Sequence, residues 1–327
     1  MQSTSHSRLL AAGAAALAIL GAAPTQAQDA FPSRPITLVV PFGAGSGTGI
    51  ATRILAKSMS EQLKVPVLVD NKAGANGAIG AQAAAKAKAD GYTLLIGSAT
   101  TNAVNFAFFP GKLGYEASQF QGVAGLSSSP ISLYVEADSP WKKLPDLVAD
   151  AKRNPGKLSC GSGNAVTQVA CEIFRLQAGL QTTNIPYKSN PQSLTDVVGK
   201  QVSYAFSDPS AAQSYVEGKR LRALAIASAV RNPARPDDAT FREQGMNEIE
   251  FTAWVAVFAP TGVPAPVLER LNAVVRKAVD SPEMVQTQAR TGGTVMHFNL
   301  QETQAFYGRE VARWARYIKD SGVKPEQ

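Results

Sequence analysis

Apolar positions along the chain fall into two alternating periods. Ile36–Val40 is a short continuous apolar run, which predicts a buried strand. It enters a Gly- and Ser-rich loop, Gly43–Gly49. Ile50, Ile54, Leu55 and Met59 then recur near helical spacing and predict a helix to about Leu63. Val65–Val69 reads as a second strand, with Pro66 marking an edge or a strand start. Asn71–Gly80 is turn-rich and leads into an Ala-rich helix, Ala81–Ala89. Tyr92–Ile96 is a third buried strand, ending in the small polar loop Gly97–Asn102.

The same rhythm returns downstream. Gly122–Val135 is β-like but broken at Ser127–Pro130, and is read as the passage from one domain to the next. A helix over Pro140–Asn154 precedes the strand Leu158–Gly161, the loop Ser162–Thr167 and a helix to about Ala178. Thr183–Tyr187, a helix from about Ser193 and the strand Val202–Phe206 follow. Asp208-Pro209 ends that strand and opens a helix to Gly218, where Pro suits the first turn. Leu221–Ala227 is read as the return to the first domain. The remainder predicts strands over Phe251–Phe258 and Thr294–Phe298, and helices over Pro264–Asp280, Met284–Arg290 and Thr303–Ser321. Such alternation predicts an α/β fold of two domains, each a mostly parallel sheet flanked by helices. The expected boundaries are 28–124 and 228–327 for the first domain and 125–227 for the second.

Two segments, LVVPFGAGSGT and KLSCGSGNAVT, each run from a strand into a Gly/Ser loop and then a helix. A helix N-terminus offers unpaired N–H groups and the positive end of a macrodipole. Two such loops facing each other across a cleft would clamp an anion from both ends, and a dicarboxylate would satisfy both.

Composition narrows this picture. The 327 residues carry 32 Lys and Arg against 25 Asp and Glu, a formal charge of +7 spread thinly. Without a concentrated basic patch, nucleic-acid binding is not expected, whereas a basic surface suits anionic small molecules. Arg8 and the apolar run Leu9–Leu20, followed by Thr25-Gln26-Ala27, predict a signal peptide over 1–27 cleaved near Ala27, the alternative being an uncleaved anchor. The two cysteines, Cys160 and Cys171, then lie in an exported chain, either bridged or as two buried thiols.

Catalytic chemistry finds little support. Beyond the leader the chain has a single histidine, His297, and no G-x-S-x-G elbow. The first loop matches neither the dinucleotide fingerprint nor the P-loop. Two cysteines and one histidine do not make a usual zinc site, so neither metal nor cofactor is expected. Asp208 is the one carboxylate placed at a strand end facing the cleft; it also fits as the N-cap before Pro209, and both roles can hold together. Binding is the expected role, with an exported enzyme as the weaker alternative.

FPSRPITLVVPFGAGSGTGIATRIL, VLVDNKAGANGAIGAQAAAKAKADGYTLLIGS, IPYKSNPQSLTDVVGKQVSYAF, GKRLRALAIAS and FTAWVAVFAPTGVPAPVLERLN resemble the Bordetella uptake gene family. These are periplasmic solute-binding proteins of tripartite tricarboxylate transporters, and the resemblance runs from about Phe31 to Val323. It implies a periplasmic-binding-protein-like fold of the second type. It also implies a small carboxylate in the cleft: a dicarboxylate, an amino acid or an aromatic acid. The implied partners are the membrane permease subunits of such a transporter, with the binding protein a monomer. The same fold could serve a sensing or scavenging protein without a dedicated permease. The resemblance assigns ligand contacts to Gly45, Ser46 and Thr48, to Ser98, Thr101 and Asn102, and to Ser162, Asn164 and Thr167, with Asp208 behind them. Phe42 and Tyr187 are candidates for stacking on a ring. Three positions depart from the family pattern. Gly49 stands where Asp is common, Gln168 and Asn102 where His is common. Gly49→Asp is accordingly expected to weaken an anionic ligand.

Overall fold

The computed structural model describes residues 31–247 and 249–323. The expected signal peptide lies outside the described residues. From Arg34 onward the chain is one compact unit built on two sheets. The first sheet holds strands β1 (Ile36–Val40), β2 (Val67–Asn71), β3 (Thr93–Ser98), β4 (Phe120–Pro130), β10 (Thr252–Pro260) and β11 (Thr294–Val295). Their order is β11-β4-β10-β3-β1-β2. The second holds β5 (Ser132–Glu136), β6 (Ser159–Ser162), β7 (Thr183–Pro186), β8 (Tyr204–Ser207) and β9 (Leu221–Ile226), ordered β7-β6-β8-β5-β9.

Both sheets are mixed rather than mostly parallel. β1 runs parallel to β2 and β3, and β6 parallel to β7 and β8. The remaining strands join antiparallel: β4, β10 and β11 in the first sheet, β5 and β9 in the second. Leu38 and Val39, which point to opposite faces, are both buried, as the continuous apolar run requires of a strand covered on both faces.

The passage between sheets is sharper than the sequence suggests. Ser127–Pro130 does not interrupt a strand; it stays in the first sheet, paired with β10. Only Ile131 separates β4 from β5. β9 is not the return strand, because it pairs antiparallel with β5 inside the second sheet. The return comes later, through 227–251 into β10. The two connections lie side by side and are tied by backbone hydrogen bonds. Ile131 N–H donates to the Phe251 carbonyl at 3.2 Å, Ala227 N–H to the Ile131 carbonyl at 2.8 Å, and Phe251 N–H to the Ala227 carbonyl at 3.1 Å.

Ten α-helices complete the described fold: α1 (Gly47–Leu63), α2 (Ala78–Ala85), α3 (Asn105–Phe108), α4 (Leu144–Arg153), α5 (Ala165–Gln177), α6 (Asn190–Val198), α7 (Pro209–Glu217), α8 (Ala265–Val279), α9 (Pro282–Thr291) and α10 (Leu300–Ser321). None is long and apolar enough to cross a membrane among the described residues. α10 packs on the first sheet through an aromatic cluster. Trp314 stacks on Phe251 with ring centroids 6.1 Å apart, and Trp254 Nε1 donates to the buried Glu310 carboxylate at 2.7 Å. Cys160 on β6 and Cys171 two turns into α5 are joined by a disulfide, which ties strand to helix across the intervening loop.

Candidate functional site

Four helices begin at one place. Ser46 is the N-cap of α1, Asn164 of α5, Ser189 of α6 and Asp208 of α7. All four caps line a single cavity between the two sheets. The local sequence explains each start. Ser46 Oγ accepts from Gly49 N–H at 3.1 Å. Asn164 Oδ1 accepts from Thr167 N–H at 3.1 Å, and Thr167 Oγ1 returns to the Asn164 N–H at 3.1 Å, a reciprocal cap. Pro191 and Pro209 sit in the first turns of α6 and α7, where a missing N–H costs nothing. Each N-terminus contributes the equivalent of about half a positive charge close to its first turn.

The cavity has a volume of about 60 Å³. At ~10–15 Å³ per water, that is room for roughly four to six waters or a small ligand. Its walls are hydroxyls and amides: Ser98 from the end of β3, Thr100 from the turn after it, Ser127 and Ser129 from β4, and Asn190, Ser210 and Gln288 from helices. Ile131, Val166 and the buried Trp254 supply apolar wall. No Lys, Arg or His lines it among the described residues, and Asp208 is its one charged side chain. Anion binding here therefore rests on backbone dipoles, hydroxyls and amides.

A hydrogen-bonded chain runs along the wall. Thr100 Oγ1 donates to Asn164 Oδ1 at 3.2 Å, joining the first sheet's side to the second's. Asn164 Nδ2 donates to Asn190 Oδ1 at 3.3 Å, and Asn190 Nδ2 to Asp208 Oδ2 at 2.9 Å. The other Asp208 oxygen accepts from Ala211 N–H at 3.0 Å. Burial pushes the Asp208 carboxyl above the usual carboxylate range, against the lowering pull of those bonds. This carboxylate also meets α1 head-on. A Cβ built on Gly47, the first residue of α1, would stand 2.2 Å from Asp208 Oδ1. Only a residue without a side chain allows that approach.

Of the residues singled out in sequence, Phe42, Ser46, Thr48, Ser98, Asn164, Thr167 and Asp208 line this cavity. Asp208 is both helix cap and cavity wall. Gly45, Thr101, Asn102, Ser162 and Tyr187 do not line it. After β3 the chain enters a π-helical turn, Thr100–Val104, whose winding aims Thr100 at the cavity. Thr101 turns inward instead: its Oγ1 donates to Asn102 Oδ1 at 2.7 Å and accepts from Ser98 N–H at 3.1 Å. Ser162 donates to Asn184 at 2.8 Å. Tyr187 donates to Asp196 at 2.7 Å, and burial together with that carboxylate pushes its phenol up to about 12. Ser162, Tyr187 and Gln168 line a neighbouring pocket with Phe42 and Gly163. Ser189 and Asn190 also line the cavity and are not among the sequence-assigned contacts, although Ser189-Asn190-Pro191 carries the start signal of a helix, a capping residue with Pro in the first turn.

Gly49 does not face the cavity. A Cβ there would meet Arg53 Nη1 and Ser46 Oγ, each at 3.2 Å, and Arg53 already donates to the Gly49 carbonyl at 2.9 Å. The expectation that Gly49→Asp weakens an anion is therefore replaced. The new carboxylate falls beside Arg53, one helical turn on, and at the positive end of α1. G49D is expected to stabilise the fold by about 1 kcal/mol, raising the melting temperature by ~2–3 °C, with affinity held within about threefold. A tenfold loss of affinity on calorimetry would put position 49 back in the cavity.

The comparisons agree on one family. The family of tripartite tricarboxylate transporter receptors matches residues 51–323. Protein BugT of Bordetella pertussis is 32% identical over 320 residues, covering 97% of this chain and 98% of its own. Among solved structures, a Rhodopseudomonas palustris protein, MatC, with bound malate superposes with a TM-score of 0.83 at 28% identity, covering 88% of this chain and all of its own. An R. palustris protein solved with adipate gives 0.86 at 29% identity over 90% of this chain and all of its own. With a match over most of its length and relatives near one-third identity over nearly all of it, the chain belongs to the tripartite tricarboxylate transporter receptor family.

Proposed function

We propose that this protein captures a small carboxylate in the cavity between its two lobes and delivers it to the membrane permease subunits of a tripartite tricarboxylate-type transporter. The convergence of four helix N-termini on a polar cavity that has no cationic side chain among the described residues carries the reading. That arrangement suits a carboxylate, which accepts several N–H and O–H bonds and gains from the dipoles. The malate and adipate found in relatives are small carboxylates of this kind. Ser46, Thr48, Ser98, Thr100, Asn164 and Thr167 are the proposed contacts. The ligand leaves unchanged, and the protein acts as a monomer in the periplasm after cleavage near Ala27.

Binding to the folded state alone stabilises it by RT ln(1 + [L]/Kd), about 2.7 kcal/mol at a hundredfold excess over Kd. A thermal-shift screen over C3 to C6 mono-, di- and amino-carboxylates and benzoates is expected to give a clear rise in melting temperature for at least one. A flat screen with correctly folded protein would falsify the carboxylate reading.

A further inference from the structure

We propose that Asp208 sets the charge of the bound ligand: a dianionic carboxylate enters together with one proton on Asp208, whereas a monoanion or zwitterion enters without one. The inference rests on the carboxylate reading above. Four helix N-termini meet at the cavity, so the fixed backbone charge there is about +2, counting roughly half a charge for each. The side chains add no cation among the described residues, and Asp208 subtracts one. The site with Asp208 ionised is thus balanced for a single negative charge. With Asp208 protonated it is balanced for two.

The position of Asp208 makes it the group that answers the ligand. It caps α7, faces the cavity, and lies against the first residue of α1, so it shares an N-terminus with any anion bound at Ser46 and Thr48. Its surroundings already disfavour its charge through burial. A second anion in the same enclosed space disfavours it further, and the proton is taken from solvent. Among the described residues, the groups bonded to or pressed against Asp208 are uncharged. From α6 Asp208 meets Asn190, from α7 the Ala211 amide, and from α1 the uncharged Gly47. Tyr134 of β5 feels Asp208 but is held protonated by burial, and beyond it Arg235 and Asp238 are paired with each other at 2.6 Å.

The chemistry reads out in wild-type protein. Take the tightest dicarboxylate from the screen and its monoamide, which has the same shape and one charge less. Calorimetry in buffers of differing ionisation enthalpy is expected to give about one proton taken up per dicarboxylate and none per monoamide, with dicarboxylate affinity falling about tenfold per pH unit between the free and bound pKa of Asp208. The sign follows from linkage: the complex holds the extra proton, so raising pH favours release. D208N retains an N-capping side chain, and in it the uptake and the pH slope are expected to vanish. Dicarboxylates that bind without proton uptake overturn the inference and leave the carboxylate reading standing. Uptake that persists in D208N assigns the proton elsewhere and also overturns it. If no carboxylate binds, both fall together.

Discussion

Gly47→Ala is expected to lower ligand affinity at least about a hundredfold, equivalent to ~2.7 kcal/mol, while the fold survives. Alanine is the best helix former, so the substitution does not harm α1 itself. The damage lies between lobes. The added methyl would stand 2.2 Å from Asp208 Oδ1, where an ordinary contact is near 3.4 Å. Either the Asp208 carboxyl swings off Asn190 and the Ala211 amide or the lobes part, and both routes disturb the bonded wall that runs from Thr100 through Asn164 to Asp208. Calorimetry gives the affinity, and a melting curve without ligand checks the fold. The double variant Gly47→Ala/Asp208→Ser shortens the opposing side chain and keeps an N-cap, so part of the affinity is expected to return. Wild-type affinity in G47A alone would mean that Gly47 and Asp208 do not meet in the bound state.

Replacing both cysteines with alanine is expected to cost about 3 kcal/mol of stability, the loop-closure contribution of a bridge across this separation. The bridge spans 11 positions, and Cys160 and Cys171 are 1% and 2% exposed, so alanine leaves only small voids. A fall in melting temperature of ~6–10 °C is the readout. The bridge encloses the loop that carries Asn164 and Thr167, so a fewfold loss of affinity is expected with it. A shift below ~2 °C would mean that the unbridged chain is already restrained there.

The sequence carries much of this architecture in plain form. Parallel-sheet strands such as β1 are buried on both faces and so read as continuous apolar runs. Loops before helices announce themselves with Gly, Ser and capping residues, which makes the Asp208 cap legible before Pro209, while Ser46 and Asn164 rest on the family resemblance. The antiparallel strands were less legible. β4 contains Ser127, Ser128 and Ser129, which look like a break, yet they continue the strand: Ser127 and Ser129 line the cavity, while Ser128 turns away to bond Thr294. Trp254 and Gln288 come from elements far along the chain, and nothing local marks them as cavity wall. The family resemblance points to Thr101 and Asn102, whereas Thr100 is the one that lines the cavity; a one-residue step within a helical turn rotates the side chain by about 100°, a phase that motif matching does not fix.

The triangle of main-chain bonds at Ile131, Ala227 and Phe251 has an evolutionary side. Every group in it belongs to the peptide backbone, which all amino acids except proline share in full. The crossing between the sheets is thus insulated from the side-chain changes by which a binding protein acquires a new ligand. Cavity hydroxyls and amides can be exchanged one at a time while the crossing keeps its bonds. A scaffold arranged in this way can diversify its cargo without altering how its two halves are joined.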